Sequence, residues 1–134
     1  MITTRPTALT SEQRRIVEWG DGPVVVIAGA GTGKTRVIVE RVRWLLANRE
    51  GLLPENLLVL TYNVKAAREL QQRLDQTVGT ATRARMSVSN FHSFCQRILT
   101  ENAAAAGLPP RPDVLEGGGT VWRLRDRVGD LRRT

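Results

Sequence analysis

Apolar positions along this chain change period several times. Residues 24–28, VVVIA, form an unbroken run whose first four members are β-branched. That is the pattern of a strand buried on both faces, as in a parallel sheet. From Thr35 the period becomes helical, with Val37, Ile38, the stem of Arg41, Val42, Leu45 and Leu46 recurring on one side. The pattern predicts a helix to about Asn48, closed by Gly51 and Pro54. Residues 57–62, LLVLTY, predict a second buried strand. Val64, Ala67, Leu70 and Leu74 then line one side of a helix over 64–76, which Asn63 can cap and which Lys65, Arg68 and Arg73 decorate. Residues 77–85 are polar and basic and read as a loop, and 86–89 as a short third strand. A helix over 91–106 comes next, with Phe91, Phe94, Cys95, Ile98 and Leu99 on one face, the first three of them as expected core; Gly107 ends it, and Pro109, Pro110 and Pro112 forbid its continuation.

The ends of the chain are patterned less clearly. Residues 1–9 read as a loosely held arm. Thr10, with Gln13 three places on, is a capping box that opens a helix whose apolar face is Ile16, Val17 and Trp19. Residues 20–23, GDGP, form the turn into the first strand. Three glycines at 117–119 break the pattern, and a weak helix over 120–132 is the best reading of the remaining residues. Strands alternating with helices predict an α/β fold with a parallel sheet and right-handed crossovers.

Between the first apolar run and its helix lies the sequence GAGTGKT. Gly29, Gly31 and Gly33 let backbone N–H groups turn inward around an anion, and the helix N-terminus adds its partial positive charge. Strand, glycine-rich loop and helix together are the context a phosphate-binding loop requires. Residues Ala28, Gly29, Ala30, Gly31, Thr32, Gly33, Lys34 and Thr35 are therefore the expected nucleotide cradle. Lys34 is expected to reach the terminal phosphates, and the Thr35 hydroxyl to ligate Mg²⁺. Ala28 stands where the strict motif has glycine, a tolerated variant. Lysine is scarce here: the chain has 18 arginines and two lysines, and one of the two sits where such a loop needs it.

Length and charge narrow the possibilities further. At 134 residues, one domain is expected. The net charge of +7 suggests a polyanionic partner, nucleic acid first, although an arginine-rich solvated surface accounts for the charge as well. The single Cys95 excludes an internal disulfide and any cysteine-based zinc site, and suits a reducing cytosol. No apolar run reaches the roughly 18 residues of a membrane span, so no membrane partner is expected. The N-terminus lacks the apolar region of a signal peptide, and the cytoplasm is the expected location.

Four segments in order bring in a resemblance. Residues 9–13 (LTSEQ), 28–35 (AGAGTGKT), 60–67 (LTYNVKAA) and 89–94 (SNFHSF) resemble the Q motif and motifs I, Ia and Ib of UvrD/Rep-type superfamily 1A DNA helicases. The likeness covers roughly residues 9–112, and the KAA and FHSF segments give it its specificity. It implies a partial RecA-like P-loop NTPase domain over 1–112, with 113–134 entering an inserted helical subdomain or forming a tail. It implies ATP and Mg²⁺ as cofactors, with Lys34 and Thr35 as the catalytic residues of the loop and Arg36 near the nucleotide. Gln13 would read the adenine edge; its place in the capping box accounts for it as well, and one side chain has two ends to bond.

The resemblance further implies single-stranded DNA as partner. Thr61, Tyr62 and Asn63 would contact it from the carboxyl end of a strand, Tyr62 by stacking on a base. Lys65 would meet a phosphate, and His92 would contact the backbone or couple the sites. The family more often has Phe-Thr-Asn where this chain has Tyr62, Asn63 and Val64, and Asn90 replaces a usual threonine. In full-length members the implied activity is ATP-driven 3'-to-5' translocation and unwinding.

Hydrolysis in such proteins also needs a Walker B strand ending in acidic residues. The acids after Ser93 are Glu101, Asp113, Glu116, Asp126 and Asp130, and none comes after a strand-like run. The expectation is a helicase portion that is incompetent alone, whose further partner is the remainder of the helicase or another subunit. The alternative is a stand-alone nucleotide-binding interaction module without turnover.

Overall fold

In the computed structural model, which describes residues 8–109, the capping box opens the first helix as the spacing predicts. Helix α1 spans Ser11–Val17; Thr10 Oγ1 accepts from Gln13 N at 3.2 Å, and Gln13 Oε1 accepts from Thr10 N at 3.1 Å. Helix α2 spans Lys34–Asn48 and ends where the pattern placed its end. A 3₁₀ turn, Pro54–Asn56, leads into strand β1, Leu58–Thr61. Helix α3, Val64–Val78, starts on Asn63, whose Oδ1 accepts from Ala66 N at 2.8 Å. Strand β2, Ser87–Asn90, runs parallel to β1, pairing Leu58 with Ser87 and Thr61 with Asn90.

The core forms because three elements bring apolar stripes to one place. Val39 and Val42 of α2, Leu70 and Leu74 of α3, and Met86 and Val88 around β2 form one buried cluster, with Leu46, Leu57, Val59 and Val78 packed at its margin. Leu70 and Leu74 are the largest fully enclosed side chains. Gln71, between them, donates from Nε2 to Val88 O at 2.7 Å and ties α3 to β2. The mixed helix and strand content, with a parallel two-stranded sheet, agrees with the expected α/β class.

Four expectations need correction. Residues 24–28 are not a buried strand. Among the described residues their backbone makes no ladder and no backbone–backbone hydrogen bond, and Val25 and Ile27 are 86% and 97% exposed. A β-branched run becomes a strand only beside another strand, and among the described residues the sheet contains β1 and β2 alone. Residues 77–85 are not all loop. Gly79, at φ +86°, ends α3 and opens a five-residue helix α4, Thr80–Ala84, held by an Arg83–Asp75 ion pair at 2.7 Å. Helix α4 buries no residue, so it leaves no apolar period to read.

The last helix, α5, is shorter than expected: Phe91–Glu101, with turns running on to Gly107 at φ +66°. Its apolar stripe is not core either. Phe91, Cys95, Ile98 and Leu99 are exposed and Phe94 is half-buried. The chain divides into two units after Phe91, and in the second one the described residues supply no other helix or strand to cover that stripe. The helix expected over 120–132 and the boundary near residue 112 lie outside the described residues.

Candidate functional site

The glycine-rich loop joins residues 24–28 to α2, and its shape comes from two glycines. Gly31 and Gly33 take φ of +74° and +84°, the left-handed region that other residues rarely enter. Gly33 is the N-cap of α2, so the turn delivers Lys34 and Thr35 as the first two residues of that helix. The loop closes on its own carbonyls: Lys34 Nζ donates to Ala28 O at 3.1 Å and to Gly29 O at 2.5 Å. Thr32 Oγ1 donates to Gly29 O at 2.8 Å. An ammonium is thereby held at the head of a fifteen-residue helix, whose first N–H groups have no partner within the helix. Thr35 is exposed in the first turn and Arg36 beside it is half-buried; Ala30 is exposed on the loop.

Gln13 joins the two motifs. Its Oε1 serves the capping box, while its Nε2 donates to Thr32 O at 3.0 Å. A Cβ at Gly33 would stand 3.2 Å from that Nε2, so a side chain here would push the Gln13 amide aside by a few tenths of an ångström, and the φ of +84° favours glycine independently. The two ends of Gln13 thus do different work, and one amide proton and one lone pair remain for a further partner.

Sequence reasoning missed Arg41, which it read only as an apolar stem. Arg41 Nη1 donates to Val17 O at 2.7 Å and to Trp19 O, and Nη2 to Gly20 O at 3.4 Å. Burial, and then the charge of Arg49, lower its pKa. The available signal was an arginine placed on the buried side of a helix, where an unpaired charge would be costly. Arg49 pairs with Asp21. Beside α1, a groove of about 260 Å³ is lined by Glu12, Arg15, Ile16, Trp19 and residues 24–27.

The expected DNA contacts fall in two places. Thr61, Tyr62, Asn63 and Lys65 stand together where β1 ends and α3 begins. Thr61 Oγ1 donates to Asn63 O at 3.0 Å, and Asn63 caps α3. Those contacts leave Tyr62, 85% exposed, as the open aromatic surface of that corner, with Lys65 exposed beside it. Across the ladder from Thr61, Asn90 is buried, and next to it Ser89 Oγ is buried without a hydrogen-bond partner. His92 is exposed in the first turn of α5, in the second unit. Among the described residues no group of three or more His, Cys, Asp or Glu could hold a metal ion, and no helix is long and apolar enough to cross a membrane.

Comparison with known proteins agrees with the family resemblance. Residues 9–128 match the family model of the UvrD/REP helicase N-terminal domain. The chain is 39% identical over 100 residues to the ATP-dependent DNA helicase PcrA of Staphylococcus aureus strain Mu50, and equally so to that of Staphylococcus epidermidis strain RP62A. Each match covers 75% of this chain and 13% of the relative, so the chain corresponds to about an eighth of those proteins' length. With the family model spanning most of its residues, the chain belongs to the UvrD/REP helicase family, in the region of its N-terminal domain.

Proposed function

We propose that this chain is the ATP-binding and single-stranded-DNA-binding N-terminal portion of a UvrD-type DNA helicase. In this reading residues 1–112 are part of a RecA-like P-loop domain, and 113–134 begin an inserted helical subdomain or a tail. The observation that carries it is the loop at the head of α2, where Lys34 is held over the carbonyls of Ala28 and Gly29 by a turn that two left-handed glycines make. Triphosphate oxygens are better partners for that ammonium than two carbonyls, because a charge-assisted bond is roughly twice as strong as a neutral one. The residues present also fit Mg²⁺·ATP: the Thr35 hydroxyl is exposed where the ion would be held, and Gln13 keeps a free donor and acceptor for a base edge. When bound, the ion neutralises charge on the phosphates. Arg36 lines the same end of α2.

Single-stranded DNA is the second partner in this reading, met by Thr61, Tyr62, Asn63 and Lys65 and by His92. PcrA proteins are named as ATP-dependent DNA helicases, and the family likeness extends that activity, 3'-to-5' in direction, to the full-length protein in the cytoplasm. The 134 residues contain no apolar run ending in an acidic pair, so this chain alone binds ATP without turning it over.

Calorimetry with Mg·ATP tests the reading. Removing the Lys34 charge deletes contacts worth about 1.5–3 kcal/mol, so Lys34→Ala should weaken binding roughly ten-fold or more. Unchanged affinity would end the assignment. Steady-state phosphate release should stay at background for both chains, and Lys34-dependent release would end the claim that the chain is incompetent alone. A labelled oligonucleotide should bind weakly by anisotropy and be released steeply by salt, since phosphate contacts release counterions. No binding at low salt would remove DNA from the proposal.

A further inference from the structure

Helix α1 has only two turns, too few to hold its own shape or angle. It is held at both ends by the chain around α2. At its head Gln13 Nε2 reaches Thr32 O, one residue before the N-cap of α2. At its tail Arg41, well into α2, serves the carbonyls of Val17, Trp19 and Gly20. We infer that Arg41 is a positioning residue for the nucleotide site: by gripping the tail of α1 it fixes where Gln13 stands against the phosphate loop. The inference rests on the reading of residues 28–35 as that loop.

The chemistry suits arginine and no other side chain. The last carbonyls of a helix lack partners inside it, and a cation at that end is favourable. A guanidinium offers several donors from a rigid fork and can serve three carbonyls at once, whereas an ammonium is a point charge on a flexible stem. The Arg41 guanidinium also lies 5.6 Å from the ring centroid of Trp44, one turn further along α2, which restrains it from a second side. Two of its three acceptors, Trp19 O and Gly20 O, belong to the turn that leads to residues 24–28. One side chain therefore holds both the helix that carries Gln13 and the start of the segment that enters the loop. Arg41 lies six positions beyond Thr35, so it acts through Gln13 and the loop.

The test uses Arg41→Lys, which keeps the charge and the stem, beside Arg41→Ala. Arg43→Ala is the control, because Arg43 pairs with Glu40 within α2 itself. In nucleotide-free protein, the side-chain amide resonances of Gln13 should stand apart from those of free glutamine. Arg41→Lys should move them, and the backbone amides of Thr32 and Gly33, towards free values, while resonances of Leu70, Leu74 and Val88 stay in place. Arg43→Ala should leave all of them unmoved. In competition binding, both Arg41 variants should lose roughly two- to ten-fold of the ATP-over-GTP preference, the size of one net hydrogen bond. Adding Gln13→Ala to either should cost nothing more, since the two act in one chain of contacts.

Unmoved Gln13 resonances in Arg41→Lys, an unchanged preference, or an equal response in Arg43→Ala would each overturn the inference. If Arg41→Ala fails to fold, Arg41→Lys decides. If the parent chain binds neither nucleotide, the nucleotide-loop reading falls on its own, and the resonances of the unliganded protein still decide whether Arg41 positions Gln13.

Discussion

Two apolar runs of this chain resemble each other and meet opposite ends. Residues 58–61, LVLT, lie against β2 in a parallel ladder, and Val59 packs at the margin of the core. Residues 24–27, VVVI, are richer in β-branched side chains yet stand exposed, with no ladder among the described residues. The difference is not propensity. Strand β1 has a neighbour and a helix: α3 brings Leu70 and Leu74 to the sheet, and β2 comes within reach after it. A strand is thus a property of a pair and of what covers it, and apolar composition only makes a segment eligible.

Point substitutions should widen that contrast. The largest effect is expected at Leu74, which is fully enclosed. Leu74→Ala should cost about 2–5 kcal/mol of stability in urea unfolding, whereas Ile27→Ala should stay within about 0.5 kcal/mol, as at other exposed sites. Comparable losses at both positions would show that residues 24–28 are covered in solution.

A smaller effect is expected where α3 is tied to the sheet. Gln71→Ala removes the donor to Val88 O, and the loss should be about 1 kcal/mol. A neutral result would mean that water replaces the amide without cost, and that apolar packing alone holds α3 to β2.

The smallest effect concerns the approach to β1. The carboxyl of Glu55 is held below its usual range by its own backbone N–H and then by the hydrogen bond from Arg85. A lowered carboxylate pKa adds stability that is present above the unfolded value and is lost as pH falls through the folded one. Thermal midpoints of the parent and of Glu55→Gln should therefore differ slightly at neutral pH and converge in acid. A gap that persists in acid would assign the effect to packing instead.

The same contrast explains what the sequence made legible. The capping box, the left-handed glycines of the loop, the end of α2 at Asn48 and the stripe on α3 are local patterns, and local patterns survive in a linear reading. Helix α4 escaped because it buries nothing, and Val39 escaped because it falls between the positions of the expected stripe on α2. At the candidate site, the glycine turn that opens α2 could be read from spacing, since it is made by neighbours in the chain. The link from Gln13 to Thr32 spans 19 positions and the grip of Arg41 on Val17 spans 24, and no period in the sequence encodes either. The stripe on α5 shows the converse: the pattern is real, but nothing among the described residues of its unit covers it.

The parallel register has a consequence for the order in which this chain folds. Leu58 meets Ser87 across the ladder, a separation of 29 positions by subtraction (87 − 58 = 29). Bringing such ends together costs entropy that grows as the logarithm of the loop, before any strand contact repays it. Helix α3 takes up fifteen of the intervening residues and needs only local bonds. The favoured sequence of events is α3 first, its leucine stripe second as a landing surface, and the ladder last. A one-residue slip at that final step would exchange Val88 for a serine in the core, because side chains alternate between faces along a strand. The search for register is thereby narrowed to one alignment by a single valine, and late closure leaves little opportunity for a mispaired sheet to persist.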